Sequence, residues 1–311
     1  MPARLLNGNE IRDQILCELR SEVESLSARG CRPGLAAVLV GHHPASEIYV
    51  RNKIKACESL GIYSEKITPP ESVTTEEMLA LVERLNARDE IDGILVQLPL
   101  PPQVDSKRVL LAVDPSKDVD GFHPFNIGCL VSQRPGLVPC TPAGILEILK
   151  RSGIPIFGRR AVVIGRSDIV GKPVALLLLH EHATVTICHS RTQNLAAVAR
   201  EADILIAAIG RAALVTHEFI RPGATVIDVG MNRLDNAAEV ERIFASTPSK
   251  IEQFREKGSV LVGDVHPIDA SNCAGAYTPV PGGVGPLTIA MLMANTVKAA
   301  RLRRGGTGGS L

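Results

Sequence analysis

Tryptophan is absent from the 311 residues, and Phe, Trp and Tyr together make up only 3% of them. So few rings leave little for base-stacking platforms or aromatic-rich binding surfaces. A dominant charge is missing too: 34 Lys and Arg balance 33 Asp and Glu, for a formal net charge of +1. No overall field draws the chain to nucleic acid or to an anionic membrane. No apolar run reaches the roughly 18 residues that span a bilayer, and the stretch at 174–179 is far shorter. The opening MPARLLNGNE lacks the continuous apolar core of a signal peptide, so a cytoplasmic location is expected. Cys17, Cys31, Cys57, Cys129, Cys140, Cys188 and Cys273 are scattered, with no CxxC pair or Cys/His cluster. Neither a disulfide framework nor a metal site is expected, and most of these cysteines read as small buried hydrophobes.

Glycine (27) and proline (21) are plentiful instead. Apart from the tail GGTGGS, no low-complexity tract holds them, so they mark specific turns and loops, where chemistry concentrates. At 45% hydrophobic and 22% charged, the chain can bury a core. At roughly 150 residues per domain, its length suggests two domains.

Periodicity orders the chain. Ile11, Ile15, Leu19, Val23 and Leu26 recur every three or four residues, which predicts a helix over 10–26. GLAAVLVG (34–41) reads as a buried strand between glycines. A helix capped by Ser46 runs to Leu60 and is stopped by Gly61. An amphipathic helix over 75–88 and a strand over 91–98 follow. Residues 114–142 are loop-rich, and Pro142 opens a helix over 143–151. Strands are then predicted at 160–165, 184–188, 203–209, 225–229 and 261–265, with helices at 174–182 and 195–201. Pro286 opens the last helix. Strand–helix alternation implies parallel sheets under helices, and the second half has a Rossmann-like pattern.

Several segments carry chemistry-bearing residues. In VVIGRSDIVGKP (162–173), Gly165 permits a tight turn after a strand, and the next helix offers N–H groups to a phosphate. The GxGxxG pattern is incomplete, because Ser167 replaces the second glycine and Gly171 comes one residue late; alone, this could be an ordinary βα turn. The next strand usually ends in a carboxylate for a ribose hydroxyl. Here it ends in CHSRT, with Ser190 and Arg191. Arg166 and Arg191 suit a 2′-phosphate, favouring NADP over NAD, unless they are merely solvated surface charges. Tyr49 and Lys53 share one helix face. A lysine relays protons when burial or a neighbouring donor lowers its pKa, although most helical lysines face solvent. Gln97 ends a strand, where α/β sheets bind ligands. In KDVDG, Asp118 and Asp120 either form an Asx-rich turn or offer a carboxylate to a heterocycle bearing an amino group beside a ring N–H. TPVPGGVGPLT (278–288) is either a connector or a loop whose backbone approaches a flat ligand closely.

Together YVRNK (49–53), GILVQLPLP (93–101), PSKDVDGFHPFNIG (115–128), PCTPAG (139–144), VVIGRSDIVGKP, CHSRT and PVPGGVGP closely resemble the bifunctional methylenetetrahydrofolate dehydrogenase/methenyltetrahydrofolate cyclohydrolase family, over nearly the whole chain. The resemblance implies NADP-dependent oxidation of 5,10-methylenetetrahydrofolate to 5,10-methenyltetrahydrofolate, then hydrolysis to 10-formyltetrahydrofolate, in one-carbon metabolism that feeds purine biosynthesis. It implies Lys53 as the catalytic lysine of the hydrolysis and Gln97 as the glutamine that tunes it. Tyr49 would position the folate ring system and Asp120 would anchor the pterin. Val96, Leu98, Pro281, Gly282, Gly283, Val284 and Gly285 match further substrate contacts. Gly165, Arg166, Ser167, Ser190, Arg191 and Met231 match nucleotide contacts. Hydride transfer needs no acid or base when the donor forms a stabilised cation; two rings need only be held face to face.

The fold class expected is α/β, with two α/β domains around a cleft. Residues 1–142 plus 286–311 would form the folate-binding domain, with the last helix packing back. Residues 143–285 would form the Rossmann-like dinucleotide-binding domain. A homodimer is implied by resemblance; no nucleic acid, membrane or metal is. Two other readings stand beside this one. A relative could retain one activity or use NAD. A non-catalytic binding protein would predict loss of Lys53, Gln97 or Asp120, and all three are present. Residues 234–257 depart from the family pattern as a charged, helical insertion just after Met231, either a surface excursion or a partner contact.

Overall fold

The computed structural model describes residues 3–42, 44–245 and 247–304, and the glycine-rich tail lies outside them. In chain order the elements are β1 (Arg4–Leu5), α1 (Gly8–Ala28), β2 (Gly34–Val38), α2 (Pro44–Leu60), β3 (Tyr63–Ile67), α3 (Thr75–Asn86), β4 (Gly93–Val96), α4 (Ser106–Ala112) and α5 (Pro124–Val131). Next come α6 (Cys140–Arg151), β5 (Arg160–Ile164), α7 (Gly171–His180), β6 (Thr184–Cys188), α8 (Leu195–Ala199), β7 (Ile204–Ala207) and β8 (Thr225–Asp228). The chain closes with β9 (Asn232–Leu234), α9 (Ala237–Phe244), α10 (Pro248–Lys257), β10 (Val260–Val262), α11 (Pro267–Cys273), β11 (Ala276–Tyr277) and α12 (Val284–Arg304). Two compact units result. Among the described residues, one joins 3–11 with Thr141–Leu287, and the other joins Arg12–Cys140 with 288–304.

The unit of Arg12–Cys140 is built on a parallel sheet in the order β3-β2-β4. β2 is buried along its whole length, which is why GLAAV is a continuous apolar run rather than an alternating one. β3 (YSEKI) shows no such pattern because it is an edge strand, carried by main-chain pairing to β2. The loop-rich stretch holds a helix after all: His123 Nδ1 accepts the Phe125 N–H at 3.1 Å and Pro124 starts α5. α12 returns to this unit. Buried Asn295 donates from Nδ2 to the Val119 and Val138 carbonyls, each at 2.8 Å. Arg303 reaches the fully buried Asp92 at 2.7 Å, and Arg304 pairs with the same carboxylate.

The other unit holds a sheet in the order β1-β11-β8-β7-β5-β6, parallel throughout. The sequence assigns residues 1–142 to the folate domain, but residues 3–11 belong to this unit. β1 pairs in register with β11, Arg4 opposite Ala276, and two residues are too few to show a period. The strand expected at 261–265 is β10, and it does not enter the large sheet. It pairs antiparallel with β9 in a separate ribbon. The insertion is helical as expected: α9 and α10 pack on that ribbon through Leu234, Val240, Ile243, Phe244, Val260 and Val262. Asn236 caps α9 through the Ala238 and Glu239 N–H groups, and Gly258 ends α10 in the left-handed conformation. Five of the seven cysteines are buried and all are free. Among the described residues no helix is long and apolar enough to cross a membrane.

Candidate functional site

In the Arg12–Cys140 unit, β2 is central and the chain goes first to β3 on one side, then to β4 on the other. The crevice of such a sheet lies at the C-terminal ends of the two strands flanking that reversal. Gln97 follows β4 there, its N–H bonded to the Val38 carbonyl of β2. α2 rises from the end of β2 and carries Tyr49 and Lys53 one turn apart. Lys53 is only 8% exposed, unlike an ordinary helical lysine. A buried ammonium needs a partner, and Lys53 Nζ donates to Gln97 Oε1 at 3.1 Å. The amide cannot face the other way, because its Nε2 donates to the Leu98 carbonyl at 2.8 Å. Val96 is buried, whereas Tyr49 and Leu98 are exposed.

The two aspartates of KDVDG take different parts. Asp118 is buried and closes the turn: its Oδ2 accepts the His123 N–H at 2.8 Å and Asn126 Nδ2 at 2.9 Å. The Asp120 carboxylate makes no hydrogen bond with another described residue and is half-buried. Burial pushes its carboxyl up to about 6, with Lys53 pulling it down and Asp118 adding to the rise. Desolvation also holds the buried Cys140 thiol well above its usual range. Asp120 thus offers two open acceptor oxygens beside a buried lysine, a fit for a ligand with paired donors.

A stability test follows. The folded-state pKa lies above the unfolded one, so stability from this group is greatest when it is protonated and falls as pH rises through about 6. Asp120→Asn is therefore expected to raise the melting temperature near neutral pH. The gain should shrink on acidification and vanish below the ordinary value of 3.8. Thermal unfolding of both proteins across that range checks it; a gain that does not depend on pH would contradict it.

In the other unit the order reverses at β5, with β6 on one side and β7 on the other. Gly165 follows β5 with φ at +129°, and a Cβ there would stand 2.1 Å from the Ala208 carbonyl oxygen. Only glycine lets the turn lie against the loop after β7. Ser167 Oγ accepts the Val170 and Gly171 N–H groups, each at 3.2 Å, and so fixes the entry to α7. The Gly165 N–H bonds to the Cys188 carbonyl, so Arg166 and the pair Ser190 and Arg191 leave neighbouring strand ends. All three side chains are exposed. Asp168, in the turn that precedes α7, is paired with Lys172 at 2.5 Å. Met231 is exposed, and Gly285 lies against it: a Cβ there would be 3.2 Å from Met231 Cε.

Sequence reasoning missed the loop after β7, and took from the loop after β8 only Met231. Ile209, Gly210 and Arg211 turn their N–H groups toward Asp264. The signal was present as an acid within two residues of a glycine in DVG (228–230) and GD (263–264), but those segments read only as strand ends. Among the described residues no group of three His, Cys, Asp or Glu is placed to hold a metal ion.

Comparison with known proteins agrees across the chain. The model of the tetrahydrofolate dehydrogenase/cyclohydrolase catalytic domain matches residues 6–120, and that of the NAD(P)-binding domain of the same name matches residues 139–304. A bifunctional protein FolD of Solibacter usitatus is 66% identical over 302 residues, covering 97% of this chain and 99% of its own. The crystal structure of the bifunctional enzyme FolD of Campylobacter jejuni is 42% identical with a TM-score of 0.87, over 97% of this chain and 99% of that one. A methylenetetrahydrofolate dehydrogenase-cyclohydrolase of Trypanosoma brucei, solved with NADP and an inhibitor, is 39% identical with a TM-score of 0.86, over 97% and 98%.

Proposed function

The chain belongs to the tetrahydrofolate dehydrogenase/cyclohydrolase family, and from that premise we propose how its residues divide the family's two reactions. The enzyme is bifunctional: it oxidises 5,10-methylenetetrahydrofolate to 5,10-methenyltetrahydrofolate with NADP, then hydrolyses the product to 10-formyltetrahydrofolate. The observation that carries the division is the buried Lys53 held by Gln97 in one unit, and the glycine turn at a strand reversal in the other.

Hydrolysis moves protons, so it needs a positioned group. Water adds to the methenyl carbon, the bond from that carbon to N5 breaks, and N10 keeps the formyl group. Lys53, acting as the free amine, takes one proton from the attacking water and returns it to N5 as the ring opens; the second proton of the water is released overall. Gln97 holds the Lys53 head in place through Oε1. Asp120 receives paired donors from the pterin, and Tyr49 lies over its ring system. Val96, Leu98 and the Pro281, Gly282, Gly283, Val284 and Gly285 loop are further substrate contacts.

The nucleotide unit fits NADP by its own features. Gly165 leaves room for close approach, Ser167 and Ser190 supply hydroxyls, and the nearby Asp168 is paired with Lys172. Arg166 and Arg191 hold the 2′-phosphate, and Met231 lies beside the nucleotide. When bound, NADP supplies the hydride acceptor.

We further propose a homodimer, a cytoplasmic location and a supply of one-carbon units to purine biosynthesis. β6 is an edge strand that exposes Ile187, and α7 exposes Leu179, a surface suited to a second copy. Seven free cysteines suit a reducing compartment.

The experiment is to follow methenyltetrahydrofolate formation with NADP and with NAD in wild type and Arg191→Ala. Wild type should prefer NADP. The variant should show a KM for NADP about tenfold higher, the usual worth of a charge-assisted hydrogen bond, with the KM for NAD unchanged. Equal losses with both cofactors would contradict the assignment of Arg191.

A further inference from the structure

We propose that Asp264 is a positioning residue for the dehydrogenase reaction, holding the loop that walls the nucleotide crevice and the residue next to Met231 in a single arrangement. The inference rests on the nucleotide-site reading above. Asp264 is fully buried. Its Oδ2 accepts the N–H groups of Ile209 at 2.6 Å and Gly210 at 2.9 Å. Its Oδ1 accepts the Arg211 N–H at 2.8 Å and Asn232 Nδ2 at 2.9 Å. Four donors use up what a carboxylate can accept. Three consecutive backbone N–H groups aimed at one anion form a nest, and here the anion is part of the chain.

The position of that loop gives the nest its use. Residues 209–211 follow β7, one of the two strands flanking the reversal in the sheet. The preceding residue, Ala208, is the one whose carbonyl lies against Gly165. Asn232 ties in the second element, since it follows Met231 directly and opens β9. A reciprocal clamp holds Asp264 itself. Asp228, at the end of β8, accepts the N–H groups of Gly230 at 2.9 Å, Asp264 at 2.8 Å and Val265 at 3.0 Å. The two loops leave no space for side chains: a Cβ on Gly263 would lie 1.7 Å from Asp228 Oδ2, and one on Gly230 would lie 2.3 Å from Asp264 Oδ1. The ribbon of β9 and β10 springs from these same two loops, so the insertion extends an already braced frame.

None of these groups is in the unit that carries Lys53, Gln97 and Asp120. Disturbing the clamp should therefore fall on nucleotide binding and spare hydrolysis. The test uses the full chain as Asn232→Ala, which cuts one tie and leaves the three backbone ties in place, and as Asp264→Asn, which keeps the shape and removes the charge. NADP affinity is measured by titration calorimetry, backbone amide exchange is followed at 209–211, and methenyltetrahydrofolate hydrolysis is assayed on the same samples. Expected are an NADP Kd raised about tenfold in Asp264→Asn and less in Asn232→Ala, since small displacements in a binding constellation cost that much or more. Exchange at 209–211 should quicken, and hydrolysis should stay at the wild-type rate. Unchanged NADP affinity in both variants would overturn the proposal, and so would parallel loss of hydrolysis, which would mark a general structural role. Failure of the wild-type protein to bind NADP would instead overturn the nucleotide reading on which the proposal stands.

Discussion

Lys53→Met is expected to lower methenyltetrahydrofolate hydrolysis by about 10²–10⁴-fold, the range contributed by a positioned general acid–base group. Hydride transfer should survive, because the donor becomes a stabilised cation without losing a proton to the protein. The substitution is a mild one for the fold. Methionine has nearly the length of lysine and is content in the buried site that Lys53 occupies at 8% exposure. Asp120 loses the cation that pulls its carboxyl down and so holds its proton more firmly, while Gln97 is neutral and keeps its bond to the Leu98 carbonyl. Gln97 Oε1 loses its donor, but the residue is only half-buried, so water can replace it. Hydrolysis at the wild-type rate in a folded Lys53→Met protein would remove Lys53 from the mechanism.

The second large effect is expected from Gly165→Ala, and it should fall on the other reaction. The backbone there has φ at +129°, a region that L side chains rarely adopt. The added methyl would stand 2.1 Å from the Ala208 carbonyl oxygen, a fixed main-chain atom. Such strain costs about 1–3 kcal/mol, and the turn must move away from the loop after β7 to relieve it. That movement opens the crevice where the nucleotide sits, so NADP affinity should fall about ten- to hundredfold. Hydrolysis, whose proton-transfer and pterin-anchoring groups Lys53, Gln97 and Asp120 lie in the Arg12–Cys140 unit, should be kept. NADP titration and a hydrolysis assay on one preparation check both halves.

The elements with strong local patterns were legible in the sequence. α1, β2, α3 and β5 bury the residues their periods predict, and GLAAV could be recognised as buried without a partner in view. β1, β3 and β11 were not, because two-residue strands and an edge strand owe their form to distant partners. β10 was seen as a strand but given the wrong sheet, since apolar residues do not say which edge they will pair with.

The candidate site divides in the same way. Lys53 and Gln97 are 44 residues apart, and no local rule links them; the motifs did. Asp118 and Asp120 were equal choices by residue type, with only the resemblance naming Asp120, and the geometry separates a turn-closing carboxylate from one with open acceptors. The Asp264 nest reaches back 53 to 55 residues to Arg211, Gly210 and Ile209, so its partners were invisible to any window along the chain.

The central claim is that one chain keeps two reactions on separable residues. It is tested most directly by measuring both reactions on matched preparations of wild type, Lys53→Met and Gly165→Ala. The account predicts a crossed result: Lys53→Met retains NADP-dependent oxidation and loses hydrolysis, and Gly165→Ala retains hydrolysis and loses oxidation. If both activities fall together in each folded variant, the division of labour between Lys53 and the Gly165 turn is wrong.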